Sequence, residues 1–448
     1  MSTFLFLTRS WRALAVGLMA LLAAAAAQAV PSYARQTGSD CAACHVGAFG
    51  PQLTPYGVAF KLNGYADTDG KDGKLPLSAM LVTNFTRTRA ALTEAPDHFK
   101  TNDNTALQEA SLFAAGRLAE GLGVFAQSTY SGVERKWAFD QLDLRYARPV
   151  QLGGREAVVG VSLNSNPTLT DPYNTLGQWR FPYTSSDFGF GQGATPLVEN
   201  LASSVLGLNA YALVDRHWYA ELGLYDTLSN KGLRLFNAED PGRFKGLGTY
   251  ARLAYQVDRK RDNFSVGLVG FHAGLQPDRA DRGPADRYTD LGVDASYQFL
   301  GNREHIVAVN GSWMRERQRL NHTHAADESE NLADSLTHLR LAASYHFRQT
   351  WGVTAGLFRT GGSADAGLYG GSSYSNRPDT RGYMLQADWT PWGKESSWGQ
   401  PWANLRLGLQ YTGYSRYNGG SHYIDEATGD DRRARDNNTT MLFAWLAF

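Results

Sequence analysis

Beyond about Leu77 the chain alternates apolar and polar residues in short runs. In 403–412, Leu405, Leu407, Leu409 and Tyr411 alternate with Asn404, Arg406, Gly408 and Gln410. In 291–299, Val293, Ala295, Tyr297 and Phe299 oppose Asp294, Ser296 and Gln298. In 337–347, Leu339, Leu341, Tyr345 and Phe347 oppose His338, Arg340, Ser344 and His346. The runs 141–146 and 383–389 behave alike. A period of two is that of a β-strand. Large polar residues on one face, sustained over so long a chain, predict a lipid-facing exterior and a wet interior. A soluble sandwich would alternate too. A propeller would repeat every forty residues or so, roughly, and no such repeat is present.

About sixteen segments of this kind run from 77–90 to 438–448, one of them at 201–214. Every second link is short: Ala119-Glu120, Asp215-Arg216, 301–304 and 348–350. The others are long, as at 166–200, 226–246, 318–334, 361–379 and 415–437. Short periplasmic turns alternating with long outer loops is the rule of outer-membrane barrels. An even strand number puts both ends of the barrel on the periplasmic side. Trp218, Tyr219, Trp389, Trp392 and Trp402 sit at strand ends, as an interfacial girdle requires. Trp445, Leu446 and Phe448 close a last segment that is apolar on both faces. The expected fold is all-β: a transmembrane antiparallel β-barrel of about sixteen strands over 77–448, surrounded by the lipid of a bacterial outer membrane.

The start of the chain adds the compartment. Arg9 and Arg12 precede an apolar run, 13–27, which ends at Ala27-Gln28-Ala29. This is the pattern of a secretory signal peptide over 1–29, with the mature chain beginning at Val30. An Ala-rich run ending in small residues fits a peptidase site better than a membrane anchor.

Between the two lies Cys41-Ala42-Ala43-Cys44-His45, and these are the only two cysteines of the chain. Cys-x-x-Cys-His attaches c-type haem: two thioethers hold the porphyrin and the His becomes an axial ligand of its iron. A zinc site would need two further ligands at short spacing, and a thioredoxin pair would need βαβ patterning. Neither follows. One covalent c-type haem is therefore the expected cofactor, with Cys41 and Cys44 attaching it and His45 ligating the metal. The segment 30–76 is too small to bury a haem alone, so the remaining walls must come from the barrel. Asp67, Asp69 and Asp72 lie among glycines but lack EF-hand spacing, and are expected to form a solvated turn. Val58–Leu62 is expected to form one or two helical turns.

The 43 acidic and 43 basic residues cancel, which gives no reason to expect a nucleic-acid partner. Low mean hydropathy excludes a helical membrane protein and is normal for a barrel, in which only alternate residues meet lipid. Gly189-Phe190-Gly191-Gln192-Gly193 lacks the strand–helix setting of a nucleotide site.

Several stretches carry a resemblance. They are Ala34-Arg35-Gln36-Thr37-Gly38, Phe60-Lys61-Leu62-Asn63-Gly64-Tyr65, 111–117, 129–133, 163–168 and Trp179-Arg180-Phe181-Pro182-Tyr183. With the haem motif, they make the chain similar to the outer-membrane fused monohaem cytochrome c–porins, the iron-oxidising outer-membrane cytochromes and their relatives. Members often carry Met-Ser before the first haem cysteine, where this chain has Ser39-Asp40. The resemblance implies a haem segment plugging the periplasmic side of the barrel. It also implies single electrons taken from an extracellular donor, Fe(II) or another reductant, and passed to a periplasmic c-type cytochrome or similar acceptor. The alternative is a diffusion porin whose haem segment is a plug or sensor.

Two further sites are candidates. The segment 30–77 has no Met, and His45 is its only His, so Met80 is the first candidate sixth ligand. Its parity puts it with Asn84 and Thr86, toward the lumen. Met384, His338, His346 or an open position are the alternatives. In the outer link after 305–317, His322, His324, Asp327 and Glu328 combine imidazole and carboxylate, ligand types that suit transient capture of Fe(II). A solvated polar loop with two incidental histidines is the default reading.

Overall fold

The computed structural model describes residues 30–71 and 73–448. The expected signal peptide and Asp72 lie outside the described residues. Sixteen long strands form the barrel. They are β1 Leu77–Thr88, β2 Asn104–Ala119, β3 Leu122–Ser131, β4 Lys136–Leu152, β5 Arg155–Asn164, β6 Val205–Val214, β7 Trp218–Thr227 and β8 Gly248–Asp258. Then come β9 Asp262–Gln276, β10 Asp286–Phe299, β11 His305–Arg319, β12 Ala333–Phe347, β13 Trp351–Gly362, β14 Thr380–Trp389, β15 Asn404–Arg416 and β16 Thr439–Ala447. Chain neighbours pair antiparallel, and β16 returns to β1 with Met80 opposite Ala447 and Thr88 opposite Thr439. Closure leaves no edge and bonds every ladder group internally, which is what spanning lipid demands. A two-residue strand, Arg243–Phe244, adds onto the end of β9.

The alternation sorts as the sequence predicts. Leu291, Leu339, Leu341, Tyr345 and Leu385 are exposed on the outside, while Asp294, Gln298, His338, His346 and Gln386 are buried inside. Trp218, Trp389 and Trp402 are exposed, but Tyr219 is not part of a girdle. It is fully buried and faces inward, its hydroxyl donating to Glu221 Oε2 at 2.9 Å.

Three other expectations need correction. The segment 201–214 becomes strand only at Val205, because Leu201 is buried among the residues of the preceding link. The short links do gather at one end, yet the link 390–403 at that end has fourteen residues, and the opposite rim has a four-residue link, 132–135. The interior is not an open lumen. The link 165–204 folds into the lumen, where Leu176, Leu197, Val198 and Leu201 pack on Tyr225, Phe271 and Met314.

Part of the polar inner face binds this inward link. Arg252 Nη2 lies 3.0 Å from Asp171 Oδ1 and 2.8 Å from Asp294 Oδ2. Arg145 donates from Nη2 to the Thr170 carbonyl (2.9 Å) and from Nε to Asp143 Oδ2 (2.6 Å). Buried charges persist only when paired in this way. The last strand is apolar on both faces because both meet apolar partners. Leu442 is exposed on the lipid side, while Met441, Phe443 and Trp445 pack inward against Phe49, Phe60 and Tyr65 of the N-terminal segment.

Candidate functional site

The N-terminal segment sits inside the barrel at the end of the short turns and is built from three helical pieces. They are α1 Pro31–Thr37, α2 Cys41–Cys44 and α3 Pro55–Leu62. Pro at the first turn favours both α1 and α3. α1 stops at Gly38, in the left-handed region at φ 66. The two turns of α3 cover the stretch expected to be helical. Asp69 makes an ion pair with Lys74 and accepts from the Lys71 amide at 3.0 Å, and Asn63 Nδ2 donates to Asp67 Oδ2 at 3.1 Å.

The Cys41–Cys44 pair sits on one helical turn, with His45 directly after it, and is pinned from two sides. Thr54 caps α3 and also holds α2: its amide donates to the Cys44 carbonyl (2.9 Å), its hydroxyl to the Ala43 carbonyl (2.5 Å). Gly57 lets the helix come this close, since a Cβ there would lie 2.4 Å from the Cys44 carbonyl oxygen. From the other side comes the long link 390–403. Gln400 Oε1 accepts from the Cys41 amide (3.2 Å), and the Ser396 amide donates to Asp40 Oδ2 (3.2 Å). Arg303 Nη1, on the link 300–304, donates to the Ala42 carbonyl at 3.3 Å.

Beside this turn opens a cavity of about 590 Å³. Sites for small molecules and cofactors have such volumes. Cys41, Cys44 and His45 form one wall, with Phe49, Phe113, Phe125, Trp179 and Trp445 around them. Burial pushes the Cys44 thiol up to about 12 and the Cys41 thiol upward as well. Reactive thiol pairs need the opposite shift, so this is not a thioredoxin-like centre. Burial, with the Arg406 guanidinium adding to it, holds the His45 imidazole down to about 4. The ring is therefore neutral, the form that ligates metal.

Three buried nitrogens at the cavity have no hydrogen-bond partner: His45 Nδ1, Trp179 Nε1 and Trp445 Nε1. The two indole donors lack acceptors, the chemistry that a porphyrin's two carboxylates would supply. Paired thiols on one turn, a neutral imidazole, an aromatic cavity and unused donors together fit a c-type haem.

Of the candidate sixth ligands, only Met80 lines this cavity, facing inward as its parity predicts. His346 also meets the plug, against Gly47 two residues beyond His45, where an added Cβ would lie 2.4 Å from its Nδ1, but it does not line the cavity. His338 is held far up the lumen, its Nδ1 3.0 Å from Glu199 Oε2. Met384 packs near Phe358 and Tyr414.

The outer link 320–332 does not bring its histidines together. His322 and His324 lie two apart on a short helix, Asn321–Ala325. His322 Nδ1 is 3.2 Å from Asp281 Oδ2, whereas His324 Nδ1 is 3.0 Å from the Ser329 carbonyl. Neither contact involves Asp327 or Glu328. Among the described residues no three His, Cys, Asp or Glu converge as a metal site.

Sequence reasoning missed Lys61. It is buried, and its Nζ donates to the carbonyls of Leu169 (2.8 Å) and Asp171 (2.6 Å) and to Asn174 Oδ1 (3.1 Å), fastening α3 to the inward link. Its one signal is a place between Phe60 and Leu62 on a short helix. Link 390–403 was missed too, although Trp392, Trp398 and Trp402 mark it.

No family model matches the chain, and no curated protein matches it. Solved structures similar to it include a Salmonella typhi OmpF in complex with daunomycin (14% identity, TM-score 0.49, 83% of this chain and 97% of that one). Others are an outer-membrane expressed OmpT of Vibrio cholerae (8%, 0.45, 83% and 97%) and an anion-selective porin from Comamonas acidovorans (10%, 0.43, 83% and 98%). Closure of the sheet and the apolar exterior make this chain a porin-like outer-membrane β-barrel.

Proposed function

We propose that this chain is an outer-membrane electron-transfer cytochrome of the fused cytochrome–porin kind. It takes single electrons from an extracellular donor, Fe(II), and delivers them to a periplasmic c-type cytochrome or similar carrier. The observation that carries this reading is the placement of Cys41, Cys44 and His45 on one wall of an aromatic cavity inside the barrel. Cys41 and Cys44 would attach one haem, His45 would ligate its iron, and Met80 would take the sixth position. A c-type haem supplies a one-electron relay whose potential follows its axial ligands, burial and hydrogen bonds.

The residues of the chain do the rest. Phe49, Phe113, Phe125 and Trp445 give the site apolar walls, and burial among such walls is one of the levers on a haem's potential. Thr54 and Gln400 fix the attachment turn from two sides, so its position does not drift. Lys61 and Arg145 hold the inward link against the plug and the wall, closing the lumen to bulk flow. Each Fe(II) loses one electron and leaves as Fe(III) on the outside, while that electron reduces the periplasmic carrier. Ferric oxide then forms outside the cell.

Proteoliposomes test this. Fe(II) added outside should reduce the bound haem, one electron per ion, as read by its absorbance. Swelling in small sugars should stay at the rate of empty liposomes. A sugar-permeable, haem-free protein would instead be a diffusion porin.

A further inference from the structure

The cavity does not end at the plug. It continues along the inner faces of β2, β3 and β4 to the opposite rim, where Ser131, Glu134 and Lys136 line it. The link there, 132–135, is four residues long and the shortest on that rim, so the wall is lowest where the cavity reaches it.

Two register slips aim extra polar groups into this outer arm. The β1–β2 ladder runs Val82 opposite Glu109, then Thr83 opposite Leu107, which makes Gln108 the extra residue; Gln108 and Glu109 both line the cavity. The β3–β4 ladder slips between Gln127 and Ser128, which makes Asp140 the extra residue; Asp140 and Gln141 both line it. Such bulges re-aim side chains and cluster beside functional sites. Asp187, on the inward link, completes the arm, its amide donating to Gln108 Oε1 at 3.3 Å.

The arm carries a surplus of negative charge: Thr129 hydrogen-bonds Asp140, and Gln108 and Ser131 hydrogen-bond Asp187, but among the described residues no cationic group faces these carboxylates directly. The charged neighbours of Glu109 are Asp140 and Asp187, and that of Asp187 is Glu134. Lys136 is paired with Glu134 at 2.6 Å. Gln141 is 1% exposed, lines the arm, and has an Oε1 with no hydrogen-bond partner. A buried acceptor without a donor costs about 1–3 kcal/mol, so a ligand that brings donors is favoured. Cationic charge and hydrogen-bond donors together describe a hydrated metal ion. No three acidic or His side chains converge on one point among the described residues. The carboxylates therefore act through the ion's water shell, which leaves the ion free to depart.

We propose that this outer arm is the vestibule for a hydrated divalent metal cation, with Glu109, Asp140 and Asp187 supplying the counter-charge and Gln141 Oε1 accepting from metal-bound water. That the cation is Fe(II), giving up its electron at the Cys41–His45 end of the same cavity, rests on the function proposed above; cation binding by the arm does not.

The test uses Mn(II) chloride titrated into the full chain in detergent, followed by water-proton relaxation. The parent should bind saturably, and more weakly as salt rises. The triple variant Glu109→Gln, Asp140→Asn, Asp187→Asn should bind about tenfold or more weakly, the lower bound for focusing by a charged cleft, with the parent's haem content. Should the triple variant fail to fold, Gln141→Leu alone should still weaken Mn(II). Equal Mn(II) affinity in the parent and a folded variant overturns the vestibule. Stopped-flow reduction by Fe(II) separates the two ideas. A parent that loses Mn(II) on mutation but is never reduced by Fe(II) keeps the vestibule and sinks the electron-transfer reading. Equal Fe(II) reduction and equal Mn(II) binding do the reverse.

Discussion

Lys61→Met isolates the contact between plug and inward link. The substitution keeps a long unbranched chain and removes the three bonds that Nζ makes to Leu169 O, Asp171 O and Asn174 Oδ1. Asp171 is not left as an isolated charge, because Arg252 Nη2 stays 3.0 Å away. The loss is therefore that of three hydrogen bonds with no stranded ion, at about 1 kcal/mol net for each, or about 3 kcal/mol. At about 1.4 kcal/mol per factor of ten, the opening equilibrium of the link should rise about a hundredfold. The strands carry their own ladders and should not respond. Hydrogen exchange read by mass spectrometry resolves the two: amides of 169–176 should exchange about a hundredfold faster, and those of β9–β13 at the parent's rate. Unchanged exchange in 169–176 would show that Arg145 and Arg252 hold the link unaided and that Lys61 is no latch.

The same lysine sets a pH dependence. Burial, with Arg145 nearby, pushes Lys61 down to about 7 from an ordinary 10.5. Below about 7 the closed form carries the ammonium that makes all three bonds; between about 7 and 10.5 it keeps a neutral amine with two N–H donors while the opened form binds a proton that the closed form lacks, so protection of 169–176 should rise with pH across that window, and Lys61→Met should flatten the slope. Cys41→Ala with Cys44→Ala should abolish covalent haem on haem-stained denaturing gels while the barrel stays heat-modifiable; a stained band would remove the attachment assignment. Met80→Ala should shift the haem spectrum and potential, and identical spectra would leave Met80 as packing alone. Replacing His322, His324, Asp327 and Glu328 together by Ala should leave the Fe(II) dependence of haem reduction unchanged, since His322 is engaged by Asp281 of the neighbouring link and His324 by the Ser329 carbonyl, neither with Asp327 or Glu328; a raised half-saturation concentration would return iron docking to that loop.

What the sequence determined is whatever depends on neighbours along the chain. Alternation fixed the sixteen strands and which side of each meets lipid, because side chains of a strand point to opposite faces with period two. Five adjacent residues, 41–45, carry the pattern on which the proposed haem attachment rests, since both thiols belong to one turn and the imidazole follows it directly. Parity alone placed Met80 toward the lumen. What the tertiary structure decided is what fills that lumen. The sequence shows Arg145, Arg252 and Asp294 only as polar inner-face residues, for which water is the default partner. Their partners, Thr170 and Asp171, come from a link that the pattern makes an ordinary outer loop. Link 390–403 likewise breaks the short-turn rule only because it reaches back to seat Cys41. The bulges at Gln108 and Asp140 are invisible to an alternation pattern, because they are properties of two strands in register and not of either strand alone. Period and propensity act over a few residues, whereas pairing of buried polar groups is settled between residues tens to hundreds of positions apart, where only the folded chain brings donor to acceptor.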